Sequence, residues 1–161
     1  MKKILSLLSL ALVLAFSSCI EQNYPTWSGA VVEFQDAVVR TPLAGTSNPA
    51  YPRITVANTV GTVNLQVNLV GAQRTSDETI AFKIVPDGTT AVAGTDFSVS
   101  GSLVIPANSS TANAVVTILN TGAIGGSVDL LLELDGNAQI APSENYKRVQ
   151  LRITRPAAPD S

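Results

Sequence analysis

The sequence feature that most constrains the fold is a strict alternation of apolar and polar residues between positions 62 and 69. The apolar members are Val63, Leu65, Val67 and Leu69, and each residue between them is Asn or Gln. Successive side chains of a β-strand point to opposite faces of its sheet, so this stretch has one apolar and one polar face. The pattern predicts a half-buried strand of an antiparallel sheet.

The same period of two recurs along the chain, whereas no window carries an apolar stripe at helical spacing. Residues favoured in strands (Val, Ile and Thr) are frequent, and Lys is sparse. The predicted strands are Val31–Phe34, Arg53–Ala57, 62–69, 80–84, Ser102–Ile105, 114–119, 128–135 and 148–153. Both faces of 114–119 are largely apolar, so the sequence leaves its orientation open.

The predicted final strand shows how inward and outward residues are assigned. Its inward residues are Val149, Leu151 and Ile153, and its outward residues are Arg148, Gln150 and Arg152. In the strand before it, Val128, Leu130, Leu132 and Leu134 point inward, and Asp129, Glu133 and Asp135 point outward.

Turn-forming residues separate these segments, as at 86–88, 125–126 and 135–137. The longer stretch 40–52 contains three prolines and predicts an irregular crossover. Antiparallel sheets with one apolar face must pack in pairs. We therefore predict an all-β fold, an antiparallel β-sandwich of about seven to nine strands.

The first nineteen residues have the organisation of a secretory signal. Lys2 and Lys3 precede a short apolar run, which is followed by small residues and by Cys19, the only cysteine. The junction resembles the lipobox of bacterial lipoproteins, in which the cysteine is acylated, although Phe16 stands where that family prefers Leu. Relaxed lipoboxes of this kind resemble those of Bacteroidota. An ordinary secretory signal with a chance cysteine is the alternative.

The segment 93–110 carries a second resemblance. Ala-Gly-Thr-Asp-Phe at 93–97 and the run Gly-Ser-Leu-Val-Ile-Pro-Ala-Asn-Ser-Ser at 101–110 resemble the centre of a Calx-β domain. Asn108 replaces the glycine typical of that family, and asparagine also adopts the left-handed backbone region. The resemblance implies an immunoglobulin-like sandwich.

Some Calx-β domains bind Ca²⁺ through clustered acids, several of which follow the last strand. In this chain Thr154, Arg155 and Pro156 follow instead, so we expect no cofactor and no calcium site. The remaining acidic candidates are scattered, namely Glu33, Asp36, Asp77, Glu78 and Asp96. The alternative roles are a turn closed by an Asx-type bond for Asp96, and a solvated loop for Asp77 and Glu78.

Catalytic residues are not expected. The chain has no histidine, which excludes a histidine-based triad and an imidazole acid or base. Glu133 with Asp129 or Asp135 has the residue types of a glycosidase pair. Cross-strand ion pairs with Arg148 and Arg152 explain these acids better.

Aromatic residues outside the strands are candidates for ligand contact, because exposed rings stack on sugars. They are Tyr24, Trp27, Tyr51 and Tyr146, whereas Phe34, Phe82 and Phe97 are expected in the core. Tyr24 and Trp27 precede the first strand, where they either cover the open end of the sandwich or form a contact site near the membrane. The four rings are in scattered loops, so they do not by themselves predict a glycan site.

The expected organisation is a lipoprotein signal peptide at 1–18, a lipidated tether at 19–28, a sandwich domain at 29–155 and a tail at 156–161. The expected function is a non-enzymatic interaction or structural module, held on a membrane by its lipid and bound to another envelope protein. The alternative is a glycan-binding accessory of a polysaccharide-uptake system. Ile20 after the cysteine favours the outer membrane by resemblance to sorting in Gram-negative bacteria. The formal net charge of −2 argues against nucleic acid.

Overall fold

The computed structural model describes residues 28–122 and 124–156. The expected signal peptide, Cys19, Tyr24, Trp27 and most of the tail lie outside these residues. Within the described ranges, no helix is both long enough and apolar enough to cross a membrane.

The described residues form ten strands and one short helix. The elements are β1 Val31–Phe34, α1 Gln35–Val39, β2 Arg53–Ala57, β3 Thr62–Val70, β4 Glu78–Ile84, β5 Phe97–Val99, β6 Ser102–Ile105, β7 Thr111–Ile118, β8 Ser127–Gly136, β9 Ala141–Pro142 and β10 Arg148–Thr154. The eight predicted strands are all present. The sequence missed β5 and β9, whose three and two residues are too few to establish a period of two. It also missed α1, whose five residues make little more than one helical turn.

The strands form two five-stranded sheets. The order in sheet A is β5-β7-β3-β1-β9, and the order in sheet B is β2-β10-β8-β4-β6. The predicted β-sandwich is therefore confirmed. Two pairings are parallel rather than antiparallel, β1 with β9 and β2 with β10. Each parallel pair joins strands that are distant in the sequence, so no hairpin fixes their relative direction.

The core lies between the inner faces of the two sheets and contains the predicted inward residues. In β3, Leu65, Val67 and Leu69 are buried, as the alternation predicted. Phe34, Phe82 and Phe97 are also buried. Each large side chain of this kind contributes about 1.5–3 kcal/mol on burial. β7 turns Ala114, Val116 and Ile118 inward, which settles the orientation that the sequence left open.

We call the two ends of the sandwich proximal and distal, because the described chain enters the sandwich at the first and leaves it at the second. At the proximal end, the chain enters beside Gly71, where a Cβ would lie 2.8 Å from the carbonyl oxygen of Gly29. At the distal end, the Gly125 N–H donates to the carbonyl oxygen of Arg155, 2.8 Å away, where β10 ends. The described chain therefore enters the sandwich at one end and leaves it at the other.

Candidate functional site

The outer face of sheet B carries the charged side chains of β8 and β10 in direct register. Asp129 lies opposite Arg152, Leu131 opposite Gln150, and Glu133 opposite Arg148. Gln150 and Glu133 lie on the outer face, as predicted, but they are not exposed to solvent. Their side chains point away from the core, yet Gln150 is 3% exposed and Glu133 is 8% exposed.

A turn of the chain covers this part of sheet B. Gly88 lies over Leu131, and a Cβ at Gly88 would be 3.0 Å from the Cδ2 atom of Leu131. The Gln150 amide donates to the carbonyl oxygen of Gly88 at 3.0 Å and accepts from Arg53 at 2.7 Å. Because these bonds satisfy the Gln150 amide group on both sides, it can be buried without a large desolvation penalty.

The cross-strand ion pairs expected from the sequence are present. Arg152 donates two hydrogen bonds to the carboxylate of Asp129, at 2.8 and 2.7 Å. Arg148 donates to Glu133, and Lys83 lies 3.3 Å from the other oxygen of Glu133. Each carboxylate is held by cations on neighbouring strands, which is the arrangement of a structural network and not of a free acid and base.

The ion pairs change the acidity of the carboxyl groups. Hydrogen bonds from Arg152 lower the pKa of Asp129 below its ordinary value. Burial raises the pKa of Glu133, but hydrogen bonds from Arg148 and Lys83 outweigh it, so the net pKa is lowered. Both groups therefore remain ionised in the folded protein at neutral pH.

These pKa directions predict acid sensitivity. We expect the free energy of unfolding to fall as the pH drops below about 4. The folded-state pKa values are lower than the unfolded ones, so this stabilisation is complete above the unfolded pKa and is lost as the pH falls through the folded pKa. Thermal unfolding followed by circular dichroism between pH 7 and 3 measures it. The double variant Asp129→Asn/Glu133→Gln should show a shallower decline, and an equal slope would contradict this assignment.

A two-lobed cleft lies beside this network, along the crossover loop. Its first lobe faces the connection from β9 to β10, and its second lobe faces the turn at 87–88 and the outer face of sheet B. The first lobe has a cavity volume of about 470 Å³ and is lined by Thr46, Ser47, Asn48, Pro49, Ala50, Glu144, Asn145 and Lys147. The second has a volume of about 240 Å³ and is lined by Gly45, Thr46, Ser47, Tyr51, Asp87, Gly88, Leu131 and Arg148. Thr46 and Ser47 line both lobes, so the two volumes lie next to each other along this loop.

Hydrogen bonds within the crossover loop fix its shape. The N–H of Leu43 donates to the carbonyl oxygen of Tyr51 at 2.8 Å. The Thr46 hydroxyl donates to the carbonyl oxygen of Leu43 at 2.7 Å and accepts from the N–H of Tyr51 at 3.3 Å. Thr46 thus connects the two sides of the loop and holds the segment from Ser47 to Ala50 at its apex.

Two of the four candidate aromatic residues belong to this region. Tyr51 is half-buried and lines the second lobe. Tyr146 lies between two residues that line the first lobe, is 40% exposed, and accepts the N–H of Phe34 through its carbonyl oxygen. The cleft itself was missed from the sequence, because its two walls are about a hundred positions apart.

The acidic candidates for calcium are not brought together. Glu33 lies within β1 opposite Asn68, and Asp36 pairs with Arg40. Asp77 accepts the N–H of Ala107 at 2.9 Å. Across residues 28–122 and 124–156 there is no group of three or more potential metal-ligating side chains.

Asp77 and Glu78 are at the proximal end, and Asp96 is at the distal end. Glu78 accepts a hydrogen bond from Asn137 at 2.9 Å. The expected solvated loop was wrong for Glu78, which begins β4, pairs with Ile105 and is half-buried. Asp77 is exposed, but its carboxylate bonds another segment.

Asp96 is 1% exposed and closes a turn, as expected, but with a different partner. Its carboxylate accepts the N–H of Val92, four residues earlier, at 2.8 Å, whereas an Asx-type bond would reach two residues forward. Arg155 donates to its other oxygen. Arg155, which directly follows β10, therefore places a positive charge next to Asp96.

Comparison with known proteins identifies the fold. No family model matches the chain, and no curated protein matches it. The solved structure of the apo form of the Calx CBD1 domain matches with a TM-score of 0.57 and 14% identity, over 79% of this chain and 97% of that one. The fold is Calx-β-like.

Further solved structures share the Calx-β-like fold. The Calx CBD2 domain matches with a TM-score of 0.54 and 14% identity, over 76% of this chain and 85% of that one. A protein of unknown function from Bacteroides ovatus matches with a TM-score of 0.52 and 19% identity, over 76% of this chain and 44% of that one. In agreement with the motif at 101–110, Asn108 has a φ of 59°.

Proposed function

We propose that this chain is a lipid-anchored, non-enzymatic module of the bacterial cell envelope that binds another envelope protein. The lipobox-like sequence ending at Cys19 supports a covalent anchor. Each buried CH₂ of an acyl chain contributes about 0.8 kcal/mol, so two or three chains hold a protein stably on a membrane. Ile20 supports the outer membrane as the location.

The proposal rests on where the described chain enters and leaves the sandwich. The Calx-β-like body is entered at its proximal end, and ten residues of extended chain from Cys19 reach at most about 35 Å. An anchor at Cys19 would thus attach the body through its proximal end and leave the distal end farthest from the point of attachment. Its loops expose Val60, Val92 and Ile124, which are 48%, 57% and 72% exposed. Apolar side chains at the end opposite an anchor are available to a protein partner.

Site-specific photo-crosslinking in intact cells tests this function. A photoreactive residue at position 60 or 124 should give one discrete adduct with an envelope protein. The same residue at position 66, exposed on β3, is the matched control and should give none. Cys19→Ser should abolish the adduct, because the body is no longer held at the membrane. Adducts at position 66 equal to those at the distal positions would contradict the proposal.

A second candidate function is a glycan-binding accessory of a polysaccharide-uptake system, and the polar cleft beside Tyr51 supports it. Affinity electrophoresis on neutral polysaccharides should retard the chain, and Tyr51→Ala should reduce the retardation. Trp27→Ala tests the aromatic candidate near the tether. Migration unaffected by any polysaccharide would exclude this function.

A further inference from the structure

We infer that the two-lobed cleft binds a short, uncharged segment of a glycan chain, with the crossover loop holding the hydrogen-bonding groups in place. This inference rests on the second candidate function and specifies its site and the chemistry of its ligand.

The charges of the cleft are balanced, which favours an uncharged ligand. Lys147 lies 3.3 Å from Glu144 in the first lobe. In the second lobe, Arg148 is engaged by Glu133, and Asp87 contributes a further negative charge to the lining. No excess of positive charge remains to attract an anionic ligand.

The remaining polar side chains suit a ligand rich in hydroxyl groups. Ser47, Asn48 and Asn145 are exposed and line the first lobe. Hydroxyl and amide groups both donate and accept, as sugar hydroxyls do. Tyr51 lines the second lobe, and its ring is the aromatic group there that the apolar face of a sugar would contact.

The shape of the site is established before a ligand arrives. The Thr46 hydroxyl connects Leu43 to Tyr51, and Pro49 at the loop apex is buried. A loop that is already ordered loses less conformational entropy on binding. Thr46 is therefore a positioning residue, since it acts through the loop that presents Ser47 and Asn48.

The size of the cleft fits a ligand of more than one sugar. Pockets for small ligands have volumes of roughly 300–1,000 Å³. The first lobe alone, at about 470 Å³, falls within this range. The second lobe shares Thr46 and Ser47 with the first, so the proposed chain lies along the loop and contacts both lobes.

The test is an NMR titration of the full ¹⁵N-labelled chain in detergent micelles. The neutral probes are cellotetraose, xylotetraose, mannotetraose and laminaritetraose. The comparison probes are tetragalacturonic acid, which is anionic, and tetraglycine, which is a peptide. We expect at least one neutral probe to shift the amide signals of 45–51 and 144–148.

Variants separate ligand contact from loop positioning. Asn145→Ala and Ser47→Ala should each weaken binding about tenfold. Thr46→Val should weaken it similarly, and Thr46→Ser, which retains the hydroxyl, should restore it. Asn113→Ala, on the exposed face of β7, is the matched control and should bind as the unaltered chain does.

The other outcomes overturn the inference in distinguishable ways. Binding of a neutral probe that shifts signals elsewhere leaves glycan binding intact and removes the cleft as its site. Binding of tetragalacturonic acid alone leaves glycan binding intact and contradicts an uncharged ligand. Binding of tetraglycine at the cleft shows a peptide site instead. No response to any saccharide excludes both the inference and the second candidate function.

Discussion

Replacing Asp96 by alanine should lower the free energy of unfolding by about 3–5 kcal/mol. The carboxylate is 1% exposed and receives hydrogen bonds from the guanidinium of Arg155 and the backbone of Val92. Its loss leaves the Arg155 charge, 14% exposed, without its partner. Urea denaturation followed by circular dichroism measures the change.

Two further variants identify the cause of this effect. Asp96→Ala/Arg155→Met removes both charges and should recover more than half of the loss, because an apolar pair can replace a buried ion pair. Asp77→Ala removes an exposed carboxylate that accepts a single backbone hydrogen bond, and should cost about 1 kcal/mol. A loss below about 1 kcal/mol for Asp96→Ala would show that the ion pair contributes little.

Gly136→Ala should lower the free energy of unfolding by more than about 3 kcal/mol, or prevent folding. Gly136 has a φ of +73°, and a Cβ there would lie 2.2 Å from the carbonyl oxygen of Ile140. Relief of that overlap would displace the turn in which the side chain of Asn137 accepts the N–H groups of Gln139 and Ile140. It would also displace Ile140, a fully buried member of the core.

Gly126→Ala is the matched control for this prediction. Gly126 has a φ of +78°, but nothing lies within 4 Å of a Cβ at that position. It therefore experiences only the left-handed backbone penalty of about 1–2 kcal/mol. Denaturation of both variants separates the steric contribution from the conformational one. Equal losses of unfolding free energy in the two variants would mean that the turn at Ile140 accommodates the added Cβ at no cost.

The strands were predictable where a single interface decides the burial of each side chain. β3 has the core on one side and solvent on the other, so its alternation translates directly into structure. In β10 the alternation assigned both faces correctly but did not predict that Gln150, on the outer face, is buried. Gln150 is buried by Gly88, which is more than sixty positions away, and no local pattern records such a contact.

The candidate site was less predictable, because its residues are brought together by contacts between distant parts of the sequence. Tyr51 was identified as a candidate ring from its residue type and its place in a loop. Its position beside Gly88 and Leu131 follows from the parallel pairing of β2 with β10. The motif containing Asp96 was recognised from the sequence. Arg155 was noted only because it stands where calcium-binding Calx-β domains have acidic residues. Arg155 becomes the partner of Asp96 only because the chain after β10 and the chain before β5 meet at the distal end.

The most direct test of the account is the intact mass of the chain purified from native membranes, together with its partition in a phase-separating detergent. We predict a mass above that of the polypeptide beginning at Cys19 by two or three acyl chains, and recovery in the detergent phase. Cys19→Ser should remain in the aqueous phase. A native product with the mass of the bare polypeptide that stays in the aqueous phase would contradict the lipid anchor, and with it the proposed orientation of the distal end.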